Sequence, residues 1–185
     1  MTKKILMTDQ KKITGKIINY DSTFIGDIYF KKNIIEIDNN NSEKYNNIII
    51  PGFVDLHCHG GGGYDTMDGH KAIIGMSMYH LKHGTTSIMP TTWTNNFEET
   101  YIALSNFKNI KDENSNILGI HLEGPFINPN KLGAQPDLTQ KPSLEFVKKL
   151  CNVADIKIIT VAPEIDGMNS FIEDISKLNI KIQFG

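Results

Sequence analysis

Pro51-Gly52-Phe53-Val54-Asp55-Leu56-His57-Cys58-His59-Gly60, continued by Gly61, Gly62 and Gly63, decides how this chain is read. Residues 48–56 are mostly apolar and β-branched, the composition of a strand buried on both faces. Side chains alternate along a strand, so Asp55, His57 and His59 share one face while Leu56 and Cys58 share the other. Two imidazoles about 7 Å apart on one strand face can reach a single divalent metal. His57 and His59 are therefore candidate ligands. Asp55, two residues earlier, is a candidate outer partner that orients them. The run Gly60–Gly63 permits a sharp turn and keeps side chains out of the mouth of the site. It lacks the Gly-Lys-Ser/Thr ending of a phosphate loop and the spacing of a dinucleotide fingerprint, and so reads as a flexible rim.

Working outward, residues 1–48 form short β-prone runs, 12–20, 24–30 and 33–37, the pattern of a small antiparallel unit. The polar stretch 38–42 reads as a solvated loop. Residues 49–185 alternate strand and helix. A helix is expected over 67–83, with Ala72, Met76, Tyr79 and His83 on one face and Gly84 ending it. A second strand runs over 85–90 and closes on Thr91-Thr92-Trp93-Thr94. Asn95 and Glu98 stand as a capping box before a helix carrying Tyr101, Leu104 and Phe107. Strand 116–123, a long loop 124–140, a helix from Pro142, strand 156–162, a helix striped by Met168, Phe171 and Ile175, and strand 180–184 complete the series. Such alternation predicts an α/β fold with a parallel sheet, its functional groups gathered at the strand C-terminal ends. His57, His59, Thr91, Thr92, Glu123 and Glu164 all fall at such ends.

His121-Leu122-Glu123-Gly124-Pro125-Phe126 is the second chemical element. A buried carboxylate at a strand end must be paired, hydrogen-bonded or bound to a cation. Glu123 is thus a candidate oxygen ligand to the same metal, or a bridge between two; the plain alternative is a helix-capping or surface carboxylate. His121 shares its face and is a candidate outer donor. His70, His80 and His83 have ordinary explanations, His83 as a cation at a helix C-terminus.

The formal charge of −2, from 19 basic and 21 acidic residues without a basic block, argues against nucleic-acid binding. No apolar run reaches the length of a membrane span, and Met1-Thr2-Lys3-Lys4 opens no signal-type segment. Cys58 and Cys151 suggest no disulfide framework, so a reducing cytoplasm is the default.

The stretch 51–60 resembles the first-strand motif of the amidohydrolase superfamily. Gly84-Thr85-Thr86 through Pro90-Thr91, and above all residues 121–129 running into Lys131-Leu132-Gly133-Ala134-Gln135, resemble the N-acetylglucosamine-6-phosphate deacetylase family. That resemblance implies a TIM-type (β/α) barrel with a small β-rich subdomain. It implies metal-dependent hydrolysis of an amino-sugar phosphate to glucosamine 6-phosphate and acetate. By motif position Glu123 would be the principal ligand of a divalent metal, zinc or iron, as one or two ions, with His57 and His59 joining it. Ala134 and Gln135 would contact the sugar, and the full-length form would be a homodimer.

Length is the departure from the family pattern. A full barrel takes eight strands and about 250 residues. This chain supplies four βα units and a fifth strand, the first half of a barrel. The resemblance places the acid/base Asp and further ligands beyond Gly185, as in a fragment or a truncated gene. Two rivals stand beside the deacetylase reading. One is an amidohydrolase acting on cyclic amides, which the loop 131–135 argues against. The other is a non-catalytic half-barrel, a remnant or an assembly partner. The open apolar edge of a half-barrel predicts that the chain alone is aggregation-prone or dimeric and shows no measurable deacetylase activity.

Overall fold

The computed structural model describes residues 10–39, 45–105, 107–109 and 117–185. The chain start 1–4, most of the polar loop 38–42, and Asn116 lie outside the described residues. The chain divides into two compact units between Pro51 and Gly52.

In the first unit, strands β1 (Lys11–Ile18), β2 (Thr23–Phe30), β3 (Ile34–Asn39) and β4 (Ile48–Ile49) form one sheet in the order β3-β2-β1-β4. β1 and β2 pair antiparallel from Lys11 opposite Phe30 to Ile18 opposite Thr23. Asn19 N–H donates to the Ser22 carbonyl at 2.8 Å to close their turn. β4 runs parallel to β1, Lys16 opposite Ile48, so the unit is not wholly antiparallel as expected. Hairpin chemistry predicts only the neighbours a short turn can join. β4 reaches β1 across the longer connection after β3.

The second unit opens with β5 (Phe53–Cys58) and a small hairpin, β6 (Gly60–Gly61) with β7 (Tyr64–Asp65). Then follow α1 (His70–Leu81), β8 (Thr85–Pro90), α2 (Phe97–Leu104), β9 (Ile120–Glu123), α3 (Leu144–Cys151), β10 (Ile156–Val161), α4 (Met168–Ser176) and β11 (Lys181–Phe184). β5 pairs parallel with β8, and β9, β10 and β11 pair parallel in chain order. The two groups are joined by isolated parallel bridges, Ile88 with Ile117 and Thr91 with His121. Sequential parallel neighbours are what βα repetition requires.

The core lies where the helices cover β9 and β10. Ile120, His121 and Leu122 are fully enclosed, and Leu104, Phe126, Val147, Leu150, Ile159 and Ile175 pack around them. β5 departs from the expected double burial: Phe53, Val54 and Leu56 are 58%, 61% and 46% exposed. Among the described residues β5 pairs only with β8. A β-branched sequence does not bury a strand whose free side has no neighbour.

Helix registers also differ in detail. α2 is capped by Asn96, whose Oδ1 accepts from Glu99 N–H at 2.9 Å, one residue later than the Asn95–Glu98 pair. Asn95 Oδ1 is engaged by the Asn96 N–H. Thr100, Ala103 and Leu104 consequently face inward and Tyr101 outward. α1 buries Ala72, Ile73, Met76 and Ser77, leaving Tyr79 exposed. α3 starts at the Ser143 cap, whose hydroxyl accepts from Phe146 N–H. Among the described residues no helix is long and apolar enough to cross a membrane.

Candidate metal centre

The C-terminal ends of β5 and β9 bring three donors together. His59 Nε2 lies 2.9 Å from Glu123 Oε2, His57 Nε2 lies 3.5 Å from the same oxygen, and the two Nε2 atoms are 3.3 Å apart. All three ligand atoms fall within 4.8 Å of one another. The rings meet edge to face, with centroids 5.0 Å apart. Two imidazole nitrogens and one carboxylate oxygen converging in this way match the nitrogen and oxygen set of a divalent metal site. Lone pairs aimed at one point repel until a proton or a cation sits among them. His59 Nδ1 is enclosed and without a partner among the described residues, so Nε2 is its working atom.

Glu123 is half-buried, which by itself pushes its carboxyl up; the His59 hydrogen bond and the neighbouring His57 and His59 imidazoles outweigh this and hold it below its usual value. The carboxylate is thus kept as the anion a metal needs. Gln135 Nε2 donates to Glu123 Oε2 at 2.6 Å, and Glu123 N–H donates to Thr92 Oγ1 at 3.2 Å. Gly124 follows at φ +70°, where a Cβ would collide with the Thr94 hydroxyl, so β9 turns away after Glu123 only with glycine there.

Trp93 lies flat on His59, with centroids 3.7 Å apart and planes 16° from parallel. Its Nε1–H donates to Asp65 Oδ2 at 3.1 Å, and Asp65 Oδ1 accepts from Met67 N–H. Trp93, Asp65 and Thr94 escaped sequence reasoning. The usable signal was an aromatic residue directly after a parallel strand that already offers two threonines at its rim.

His121 is fully enclosed and packs edge-on to His57, with centroids 4.9 Å apart. Its Nδ1 lies 2.9 Å from the Leu56 carbonyl and its Nε2 lies 2.7 Å from Thr160 Oγ1. A carbonyl only accepts, so Nδ1 carries the proton and Nε2 accepts from the Thr160 hydroxyl. Both nitrogens are occupied, and His121 packs against His57 without joining the donor group. Burial pushes its pKa down from 6.5, against the raising effect of the Leu56 carbonyl. The folded state therefore resists protonation. The stability His121 contributes is complete above the unfolded value near 6.5 and is lost as pH falls toward the lower folded value. In ion-free buffer the urea midpoint should drop between pH 7.5 and about 5.5, with a shallower drop in His121→Gln. Equal slopes in the two proteins would contradict this tautomer and its cause.

The remaining candidates divide. Asp55 Oδ1 accepts from the His57 backbone N–H at 3.1 Å, steadying the end of β5 through its main chain. Ala134 is exposed within a turn closed by Gln135 N–H on the Leu132 carbonyl. Glu164 does not join the group, contrary to expectation: it is exposed and accepts from Asn128 Nδ2 at 2.7 Å. Its carboxylate is engaged by the loop after β9 and not by the histidines. His80, read as ordinary, sits under the glycine turn, with Nε2 3.1 Å from the Gly60 carbonyl and 3.3 Å from Cys58 Sγ. His83 Nδ1 donates to the Tyr79 carbonyl at 2.9 Å at the end of α1, the expected place for such a donor. Cys58 and Cys151 are free thiols, each raised in pKa chiefly by burial.

The amidohydrolase family model matches residues 48–182. N-acetylglucosamine-6-phosphate deacetylase of Bacillus subtilis is 38% identical over 148 residues, covering 75% of this chain and 37% of that protein. N-acetylgalactosamine-6-phosphate deacetylase of Escherichia coli O157:H7 is 26% identical over 151 residues, 78% of this chain and 40% of that protein. The crystal structure of N-acetylglucosamine-6-phosphate deacetylase from Thermotoga maritima superposes with a TM-score of 0.82 at 26% identity, covering 95% of this chain and 48% of that one. The chain thus spans less than half the length of these relatives. Its fold neighbours are of the TIM-barrel type, and with the family model covering most of its length the chain belongs to the amidohydrolase family.

Proposed function

We propose that this chain carries the first part of a metal-dependent site that hydrolyses the acetamide of N-acetylglucosamine 6-phosphate to glucosamine 6-phosphate and acetate. The observation that carries the reading is the convergence of His57, His59 and Glu123 from two separate strand ends. These residues would hold one or two divalent ions, zinc or iron. Such an ion, when bound, polarises an acyl carbonyl and acidifies a coordinated water. Glu123 supplies the anionic ligand, and Trp93 walls one side and fixes the His59 ring. Gln135, hydrogen-bonded to Glu123, and Ala134 before it are assigned to the sugar, Ala134 through its peptide. Proton transfer to the departing amine is assigned to a carboxylate outside the described residues. The half-barrel architecture, the division at residues 48/49 and a homodimeric whole protein belong to the same proposal. So does a reducing compartment, which suits the free thiols.

Trp93 is the single tryptophan, so its emission reads the metal site directly. Titrating the ion-free chain with zinc should change Trp93 emission saturably, and EDTA should reverse the change. An emission unaffected by zinc, iron or manganese would refute the metal reading. Substrate is tested by joining this chain to the residues that follow the matched segment in the Bacillus subtilis relative. Acetate release from N-acetylglucosamine 6-phosphate is expected. Preference for the galactosamine epimer would move the specificity, and turnover of a cyclic imide instead would favour a different amidohydrolase.

A further inference from the structure

We infer that Gln135 is a positioning residue for the metal ligand Glu123, a role distinct from the sugar contact assigned to it above. The inference rests on the metal reading of His57, His59 and Glu123.

Gln135 ends the turn that starts at Leu132, with its own N–H bonded to the Leu132 carbonyl at 3.0 Å, so its side chain leaves the loop in a fixed direction. Its Oε1 accepts from the Thr94 backbone N–H at 2.7 Å, and its Nε2 donates to Glu123 Oε2 at 2.6 Å. Chemistry fixes which end is which. A peptide N–H only donates and so demands the amide oxygen; a carboxylate only accepts and so demands the amide nitrogen. A flipped amide would oppose like partners at both ends. Gln135 thereby ties the segment after β8 to the last residue of β9, beside Gly124, whose missing side chain lets Thr94 approach.

The oxygen that Gln135 holds is the one facing His59 and His57. A neutral donor occupies one lone pair of Oε2 and leaves the carboxylate its charge, whereas Lys or Arg there would rival the metal. Hydrogen-bond partners of this kind fix ligand orientation and raise affinity. The amide nitrogen has a second N–H, which is the one left for a sugar hydroxyl. Metal and sugar would then be read by one side chain.

The test is zinc affinity of the full chain by calorimetry, with Trp93 emission as a second measure. Gln135→Met keeps the length and volume and loses both polar ends. Its zinc Kd should rise about 10- to 100-fold, the usual cost of losing such a partner. Gln135→Asn, the same amide one methylene shorter and milder for folding, should weaken zinc in the same direction. Zinc binding within twofold of the parent in either variant, even with a lowered Tm, would overturn the positioning role while leaving the metal site standing. A parent chain that binds no zinc would overturn both.

Discussion

Glu123→Gln is expected to abolish tight zinc binding by the chain. The substitution keeps the shape of the side chain and removes its charge. What remains is two imidazoles, His57 and His59, facing a neutral amide. Glu123 is the one carboxylate in the donor group among the described residues, and its environment holds it ionised despite half-burial. Losing a direct ligand should cost more than the roughly 10- to 100-fold typical of outer partners. The Thr92 hydroxyl still accepts from the residue-123 N–H, so the strand end should stay folded. Calorimetry with zinc, and near-UV circular dichroism to show an intact fold, decide the matter. Zinc affinity close to the parent would place the ion elsewhere.

The second large effect is on stability. Phe126 is fully enclosed two residues beyond Gly124, with ring centroids 4.9 Å from Phe171 and 5.4 Å from Phe146, both near edge-to-face. Its carbonyl accepts from Ala162 N–H at 3.0 Å, fastening the loop after β9 to the end of β10. Phe126→Ala should destabilise the chain by about 3–5 kcal/mol, since the aromatic contacts vanish and a cavity remains. A guanidinium chloride midpoint series measures this. A loss below about 1 kcal/mol would mean that the core had closed over the gap.

The parts of the site visible in the sequence are those set by strand geometry alone. A period of two puts His57 and His59 on one side, and Gly124-Pro125 stops β9 directly after Glu123. The series of parallel strands was legible from the alternation of apolar runs with helical stripes. What could not be read depends on which loops meet. Trp93 on His59, Asp65 on Trp93 and Gln135 between Thr94 and Glu123 join residues 12 to 41 positions apart. The exposure of β5 is likewise set by the number of its neighbours and not by its composition. Asn95 and Asn96 are equally able to cap, and which one does follows from whether Ala103 and Leu104 or Tyr101 can be buried.

Among the described residues β5 with β8, and β9 with β10 and β11, form paired ladders, whereas between these groups main-chain pairing shrinks to two single bridges. The histidines belong to the first group and the carboxylate to the second. A cation held by all three is therefore a rivet across the sparsest seam of the second unit, and stripping it with a chelator would let amide protons along β8 and β9 exchange sooner than those of β10.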